Sequence, residues 1–274
     1  MISRLLADNC VRRSEKKRRG ETMKSVFLTD RGKVRQHNED SGGIFYHENG
    51  LALVVVADGM GGHQAGDVAS QMAISEIEKQ WSIQMPEQLS TPEKTENWLK
   101  EAVAIVNTSI YQYAKENEDC QGMGTTIVVV ILNQEFVTVG NIGDSRCYIL
   151  NNNGFAQITD DHSLVYELVR SGQISPEDAE HHPRKNVLMR ALGTEETVAM
   201  DIKSLEWEAN DILLLCSDGL TNKVSTYDIH NVLDDDSELE VKARLLIEKA
   251  NEAGGDDNIS VAIVKHDWTE SGSE

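Results

Sequence analysis

LALVVVADGMGG (51–62) runs an apolar segment directly into an Asp-Gly turn, and this stretch restricts the fold more than any other. Two later stretches resemble it: ILLLCSDGL (212–220) also ends in an acidic turn, and GGDDNISVAIV (254–264) begins with one. Short apolar runs bounded by Gly and Asp are typical of buried strands. One aspartate beside a glycine is ordinary turn chemistry. Three of them at strand ends predict an acidic rim, the all-oxygen site that Mg²⁺ and Mn²⁺ need. The three carboxylates are Asp58, Asp218 and Asp257.

Length, charge and cysteine usage restrict the class of protein. The chain has 274 residues, and no Pro-, Gly- or Ser-rich linker interrupts residues 23–266, so we expect one domain there. The formal net charge of −20 argues against nucleic-acid binding as the main activity. The four cysteines show no CxxC spacing, which indicates a reducing compartment. The apolar runs, such as 51–57 and 127–132, are far shorter than the roughly 20 residues of a membrane-spanning helix. We expect a cytoplasmic monomer without membrane insertion.

The two ends of the chain differ from the rest. Residues 1–22 carry seven Lys and Arg against three Asp and Glu, so their net charge is +4 and that of the remainder is −24. We expect either a disordered basic extension or translation from a start upstream of Met23. A basic tail that binds anionic partners is the alternative. Residues 267–274 read as an acidic C-terminal tail.

Between these ends the hydrophobic pattern alternates strands with a few long helices, which predicts an α+β fold with helices packed on sheets. The predicted strands are 25–29, 43–47, 51–57, 125–132, 135–140, 146–150, 212–216 and 259–265. The predicted helices are 65–81, 95–117, 162–172 and 237–252. An apolar stripe along the second helix comprises Trp98, Ala102, Ile105, Ile110 and Tyr113. The polar segment 173–189 contains two prolines and reads as a surface flap.

Eight short motifs follow one another in a fixed order. They are TDRGKVRQHNEDS (29–41), VVVADGMGGHQAG (54–66), GMGTT (122–126), VGNIGDSRCY (139–148), DDHS (160–163), RALG (190–193), SDGL (217–220) and GGDDNIS (254–260). Each alone is a weak signal, but together they resemble the metal-dependent PP2C-type (PPM) serine/threonine protein phosphatases. The resemblance covers about residues 24–265 and is closest to the bacterial members that oppose membrane Ser/Thr kinases.

This resemblance implies both a fold and an activity. The implied fold is a central sandwich of two antiparallel sheets flanked by paired helices. The implied reaction is hydrolysis of phosphoserine and phosphothreonine in proteins, including a cognate kinase, by water activated between two Mn²⁺ or Mg²⁺ ions. Two alternatives share the fold: a catalytically silent module that sequesters phosphoproteins, and the regulatory phosphatase of partner-switching pathways. The chain has no cysteine in a C-x₅-R loop, which counts against a cysteine-based phosphatase.

The family pattern also assigns the ligands of the two central ions. Asp58 is implied to bridge both ions, and Gly59 to offer its carbonyl, which an absent Cβ allows to approach closely. Asp218 and Asp257 are implied as the remaining carboxylates of the first ion. Asp256 is an alternative to Asp257, but the family pattern places the ligand directly before an asparagine.

The motif R-x-x-x-E-D contributes further candidates. Glu39 and Asp40 are adjacent, so on a strand their side chains point to opposite faces. The resemblance places them around the second ion, in contact with its waters, and solvated surface acids are the alternative. Arg35 is implied to bind phosphate, because a guanidinium forms a planar fork that pairs with two phosphate oxygens. The alternative is an ordinary basic loop.

Two assignments stay open at this point. Asp144, in GDSR, is implied to hold a weaker third ion together with Asp218, and a structural contact with Arg146 is the alternative. Met60 stands where animal-type members have a candidate general acid, and His63 follows three residues later. Either His63 or a metal-bound water could protonate the leaving group; an ordinary residue at a helix start is the other interpretation of His63. Asp161-His162-Ser163 reads as a helix N-cap rather than a catalytic triad.

Overall fold

Two antiparallel sheets form the centre of the computed structural model, which describes residues 12–13, 23–47, 50–62 and 65–267. The first sheet consists, in spatial order, of β1 (Arg12–Arg13), β2 (Lys24–Asp30), β12 (Ile259–Lys265), β11 (Ile212–Cys216), β8 (Arg146–Asn151) and β9 (Gly154–Gln157). The second consists of β10 (Asp201–Glu206), β7 (Phe136–Ile142), β6 (Ile127–Leu132), β4 (Ala52–Met60) and β3 (Asp40–Tyr46), with β5 (Gly124–Thr125) paired to the end of β4.

The sheets stack face to face, which explains why the central strands are continuously apolar. In β4, Val54 and Val56 lie in the core between the sheets, whereas Leu53 and Val55 face the helices on the outside. A strand that is buried on both faces has no position for a polar side chain, so the usual alternation of apolar and polar residues disappears. The apolar run 51–57 is therefore an interior strand of a sandwich.

Paired helices cover the outer face of each sheet. α1 (Ala65–Ser82) and α2 (Pro92–Glu116) pack on the second sheet. α6 (Thr226–Asp234) and α7 (Leu239–Glu252) pack on the first. The remaining helical segments are α3 (Leu164–Arg170), α4 (Pro176–Glu180), α5 (Asp218–Thr221) and two 3₁₀ turns, Pro86–Leu89 and Glu118–Cys120. This layered α+β sandwich with flanking helices confirms the predicted fold class.

The stripe predicted along the second helix is wrong in part. Ile105 and Tyr113 are 45% and 40% exposed, whereas the buried face of α2 includes the predicted Ala102 and Ile110 together with Leu99 and Val106. These residues recur every three or four positions, whereas Ile105 and Tyr113 lie off that face of a 3.6-residue helix. Thr91 caps the helix by accepting a hydrogen bond from the Lys94 N–H, and Pro92 follows at its first turn.

Several elements, among them β1 and α5, were missing from the sequence prediction, and three of the missing elements show why. β10 alternates half-buried and exposed residues at the edge of its sheet, and β9 has only four residues, so neither gives a strong apolar signal. The third is α6, in a segment for which no helix was predicted. Inside the predicted flap 173–189 the chain forms α4.

The described residues bear on two further expectations. Arg12 and Arg13 pair with Phe27 and Val26 of β2, although residues 1–22 were expected to be disordered. The rest of that extension and residues 268–274 lie outside the described part of the chain. Within the described ranges, every helix is too short or too polar to traverse a bilayer.

Candidate metal centre

Strand ends from both sheets bring five carboxylates to one rim of the sandwich. On the second sheet, Asp40 and Asp58 stand opposite each other in the β3–β4 register. Asp58 interacts electrostatically with Asp40, Asp144, Asp218 and Asp257. Asp218 opens α5 directly after β11, and Asp257 precedes β12 by one residue, so both come from the first sheet. Asp144 lies in the turn between β7 and β8. The predicted acidic rim is therefore present.

Burial and mutual repulsion raise the pKa of these carboxyls. Burial raises the pKa of Asp58 well above its ordinary value of 3.8, and the charges of Asp40 and Asp218 raise it further. The pKa of Asp40 rises to about 7, mainly because the side chain is buried. Burial and then Asp218 and Asp161 raise that of Asp144 to about 8. Burial and then Asp257 raise that of Asp218. Such a cluster is short of positive charge, which divalent cations would supply.

An unpartnered oxygen of Asp40 fits such a cation, and the backbone packed around position 59 requires a glycine there. Asp40 is 6% exposed; its Oδ2 accepts a hydrogen bond of 2.7 Å from the Ser217 hydroxyl, but its buried Oδ1 has no partner among the described residues. A Cβ on Gly59 would lie 2.0 Å from the Gly66 carbonyl oxygen and 2.7 Å from that of Glu39. Only glycine therefore fits there. The donors are all oxygens, as Mg²⁺ and Mn²⁺ prefer.

The carboxylates line the rim, but they are not arranged as the complete ligand set of a metal ion. Among the described side chains, no group of three or more His, Cys, Asp or Glu is gathered closely enough to hold an ion. Glu39 is partly buried beside the rim, and burial raises its pKa as well.

Arg35 lies at this rim, on the exposed loop 31–38. Its Nη2 donates to Oδ2 of Asp257 at 2.7 Å, and its side chain is 52% exposed. The structure thus pairs the predicted phosphate-binding arginine with a predicted metal ligand. The neighbouring acid, Asp256, instead pairs with Lys223. Of the two adjacent aspartates, Asp257 is the one that interacts with the rim carboxylates.

Arg146 does not make the contact that the alternative interpretation of Asp144 required. Its Nε and Nη2 donate to the carboxylate of Asp161 at 2.9 and 2.7 Å, and its Nη1 lies 3.3 Å from the Tyr148 hydroxyl. The Arg146 guanidinium therefore forms its ion pair with Asp161. Sequence reasoning assigned Asp161 only to a helix cap. Its place in the DDHS motif was the one available signal.

The DDHS motif joins the rim to the flap. His162 accepts a hydrogen bond at Nδ1 from the Gly143 N–H, 3.1 Å away, next to Asp144. Ser163 caps α3 by accepting from the Tyr166 N–H at 3.3 Å, which confirms the predicted N-cap.

A cleft of about 700 Å³ opens between α3–α4 and the α5–α6 region, with Asp144 and Asp218 in its wall. Large groups can therefore reach the rim from this side.

Several residues around the rim were not predicted as functional. Thr126 Oγ1 accepts from the Asp58 N–H at 2.9 Å, and the Thr125 hydroxyl donates to the Asp58 carbonyl at 2.9 Å. Asn222 Nδ2 donates to Asp218 Oδ2 at 3.0 Å. Ser217, which binds Asp40, stands in the quoted SDGL motif, and the two threonines stand in GMGTT. For Ser217 and the two threonines, a place in these motifs was the only feature of the sequence that indicated a functional role. His63 lies outside the described residues.

A layered sandwich with an acidic rim of this composition defines a class of metal-dependent phosphatases. Residues 30–245 match the family described as Protein phosphatase 2C, and the chain belongs to that family. It is a metal-dependent serine/threonine protein phosphatase.

Individual relatives support this placement. The chain is 48% identical to "Serine/threonine phosphatase stp" of Listeria monocytogenes, over 92% of this chain and 99% of the relative. Among solved structures, serine/threonine phosphatase Stp1 from Staphylococcus aureus superposes with a TM-score of 0.84 at 37% identity, covering 90% of this chain and 96% of that one. The catalytic domain of the phosphatase PstP, crystallised with two manganese ions, superposes with a TM-score of 0.76 at 35% identity, covering 89% and 97%.

Proposed function

We propose that this phosphatase hydrolyses phosphoserine and phosphothreonine esters through water activated by two Mn²⁺ or Mg²⁺ ions at the carboxylate rim. We further propose that it works in the cytoplasm, as a monomer, against a bacterial Ser/Thr kinase. The observation that carries the mechanism is the crowding of Asp40, Asp58, Asp144 and Asp218, whose pKa values are all raised at one rim. The manganese ions in the PstP structure support the choice of metal.

The residues of this chain divide the work between the ions and the substrate. Asp58 and the Gly59 carbonyl would hold both ions, with Asp218 and Asp257 completing the first. Glu39 and Asp40 would bind waters of the second. Bound ions supply a water of lowered pKa and positive charge for the phosphate. A weaker third site would use Asp144 and Asp218.

Arg35 would bind the phosphate group of the substrate. In this structure its guanidinium pairs with Asp257 Oδ2. If Asp257 were to hold a cation, Arg35 would be free at the exposed surface, where its planar fork would match two phosphate oxygens. The leaving alkoxide then requires a proton, for which His63 and a bound water are the two candidates.

The test compares two adjacent aspartates. Wild-type protein stripped with EDTA should hydrolyse p-nitrophenyl phosphate and a phosphothreonine peptide only after Mn²⁺ or Mg²⁺ is restored. Asp257→Asn should lose this activity, whereas Asp256→Asn, which only breaks the pair between an exposed Asp256 and a half-buried Lys223, should keep it. Turnover that survives EDTA, or equal activity in the two variants, would contradict the proposal. A folded wild type without turnover in any metal would favour the silent binding module.

A further inference from the structure

The side chain of Asn258 joins the two ends of the loop that carries Arg35. Its Nδ2 donates to the Arg31 carbonyl at 2.9 Å and to the His37 carbonyl at 3.0 Å. Its Oδ1 accepts from the Glu39 N–H at 2.8 Å. Asn258 is 4% exposed, so these three hydrogen bonds are shielded from water. One buried amide therefore binds backbone groups at both ends of the loop.

Other contacts also hold the loop: Asn38 Nδ2 donates to Thr29 Oγ1 at 2.8 Å, the Gly32 N–H donates to Asp30 Oδ1 at 2.8 Å, and Arg35 pairs with Asp257. Residues 31–38 contain no helix or strand, and the Arg35 side chain is 52% exposed. The Gly255 carbonyl accepts from the N–H groups of Lys33 and Val34 at 2.8 and 3.2 Å. The anchors at Gly255 and Asn258 thus come from the same C-terminal turn, 254–258. This turn sets where Arg35 lies relative to the rim.

Asn258 is also fixed to the rim. Its N–H donates to Asp257 Oδ1 at 2.9 Å. A Cβ on Gly219 would lie 1.9 Å from the Asn258 carbonyl oxygen, so the turn that begins at Asp218 packs directly against it. The strand after Asn258 starts at Ile259, which pairs with Asp30 at the start of the loop. Displacement of the Asn258 side chain would therefore loosen both ends of the loop, at Arg31 and at His37–Glu39, while the rim stays in place.

We propose that Asn258 is a positioning residue for phosphate binding, which holds Arg35 and Glu39 in register with Asp257. This inference rests on the proposed role of Arg35. Without the amide, two carbonyls and one N–H of the loop lose their buried partner and must turn towards water. Arg35 then no longer meets the phosphate at a fixed place, and binding weakens even though the guanidinium is intact.

The chain contains a matched control in Asn107. This side chain is 1% exposed and makes the same three kinds of bond: Nδ2 to the carbonyls of Glu195 and Glu196 at 3.0 and 3.1 Å, and Oδ1 from the Gly193 N–H at 2.8 Å. The segment 193–196 contributes none of the proposed ligands. Asn107→Ala therefore removes an equivalent set of three buried hydrogen bonds and leaves the loop of Arg35 unchanged.

The experiment compares Asn258→Ala with Asn107→Ala in the full chain. Both variants should lower the melting temperature. Only Asn258→Ala should accelerate hydrogen–deuterium exchange over residues 31–39. Only it should weaken inhibition by inorganic phosphate and raise KM, each by about 10- to 100-fold, as loss of a supporting hydrogen-bond partner typically does. If Asn258→Ala does not fold, Asn258→Ser gives the same comparison, because a hydroxyl can satisfy one of the three groups.

Two results would overturn the inference. One is hydrogen–deuterium exchange over residues 31–39 that is as slow in Asn258→Ala as in the wild type. The other is that Asn258→Ala and Asn107→Ala, at a similar loss of melting temperature, show the same phosphate inhibition and the same KM. That result would leave Asn258 a purely structural residue. An Arg35→Ala variant separates this from the proposed function. If Arg35→Ala keeps normal phosphate inhibition while Asn258→Ala loses it, Arg35 has the wrong role but Asn258 still positions the loop.

Discussion

Asp58 shows how a single carboxylate is held in an unfavourable place. Thr126 and Thr125 bind its N–H and its carbonyl, so the backbone is fixed while the side chain faces other acids. Burial without a counter-charge raises its pKa, and perturbation of this kind is concentrated at functional sites. At the same rim, Arg35 is 222 residues from its partner Asp257. No local pattern in the sequence could have predicted that pair.

Replacement of Arg35 tests the residue that we assign to phosphate. A charge-assisted hydrogen bond contributes about 1.5–3 kcal/mol, so Arg35→Ala should raise KM and weaken phosphate inhibition by about 10- to 150-fold. Arg35→Lys should restore only part of this, because an ammonium lacks the planar fork. Arg31→Ala, on the same exposed loop, is the control and should stay near wild type. Steady-state kinetics at saturating Mn²⁺ would contradict the assignment if the Arg31 and Arg35 variants behaved alike.

At the scale of elements, strongly apolar or strongly periodic segments were predictable and weakly patterned ones were not. β4, β6 and β12 were predicted within a few residues, because burial on both faces leaves a continuous apolar run. β10 was missed because an edge strand with one face in water resembles a loop. The rim residues were named from their motifs, but the sequence did not predict that Arg146 would bind Asp161 rather than Asp144. Such choices depend on side-chain directions that only the packed hairpin sets.

The β7–β8 turn offers a test of the third cation. Asp144 and Asp218 alone would form a site with two carboxylates, which should bind Mn²⁺ weakly and fill only at higher metal concentration. Asp144→Ala should leave tight Mn²⁺ binding unchanged in calorimetry while the plateau of turnover in a metal titration falls. Asp160→Ala is the control, because Asp160 pairs with the Tyr166 hydroxyl. An unchanged plateau in Asp144→Ala would remove the third site from the account.

At the scale of the whole molecule, the carboxylate rim exists only because the two sheets stack on each other. Asp40 and Asp58 come from one sheet, and Asp218 and Asp257 adjoin the other, so only the stacked pair of sheets brings them together. Ser217 ties the two sheets beneath the rim through its bond to Asp40. Repulsion within the rim opposes folding of the metal-free protein, and cations should reverse it.

This balance predicts a pH dependence. In the folded protein the pKa of Asp144 is about 8 and that of Asp40 about 7, against an ordinary 3.8, so the folded state binds more protons between these values. The free energy of unfolding in EDTA should therefore fall as the pH rises from about 4 to about 8. Mn²⁺ should raise the melting temperature more at about pH 8.5 than at about pH 5.5, because protons compete for the same oxygens.

Calorimetric melting curves in EDTA and in Mn²⁺ measure this directly. Asp144→Asn should flatten part of the slope seen in EDTA, because its amide does not titrate. A melting temperature in EDTA that stays constant across this range, with an equal Mn²⁺ shift at both ends, would mean that the rim carboxylates do not repel one another in the folded protein.

The most direct measurement is anomalous diffraction from crystals soaked in Mn²⁺, for the wild type and for Asp58→Asn. The account predicts two strong anomalous peaks at the wild-type rim, both within coordination distance of Asp58, and the loss of at least one of them in Asp58→Asn. Peaks that avoid Asp58, or two peaks that persist unchanged in the variant, would contradict the claim that this carboxylate holds the catalytic ions.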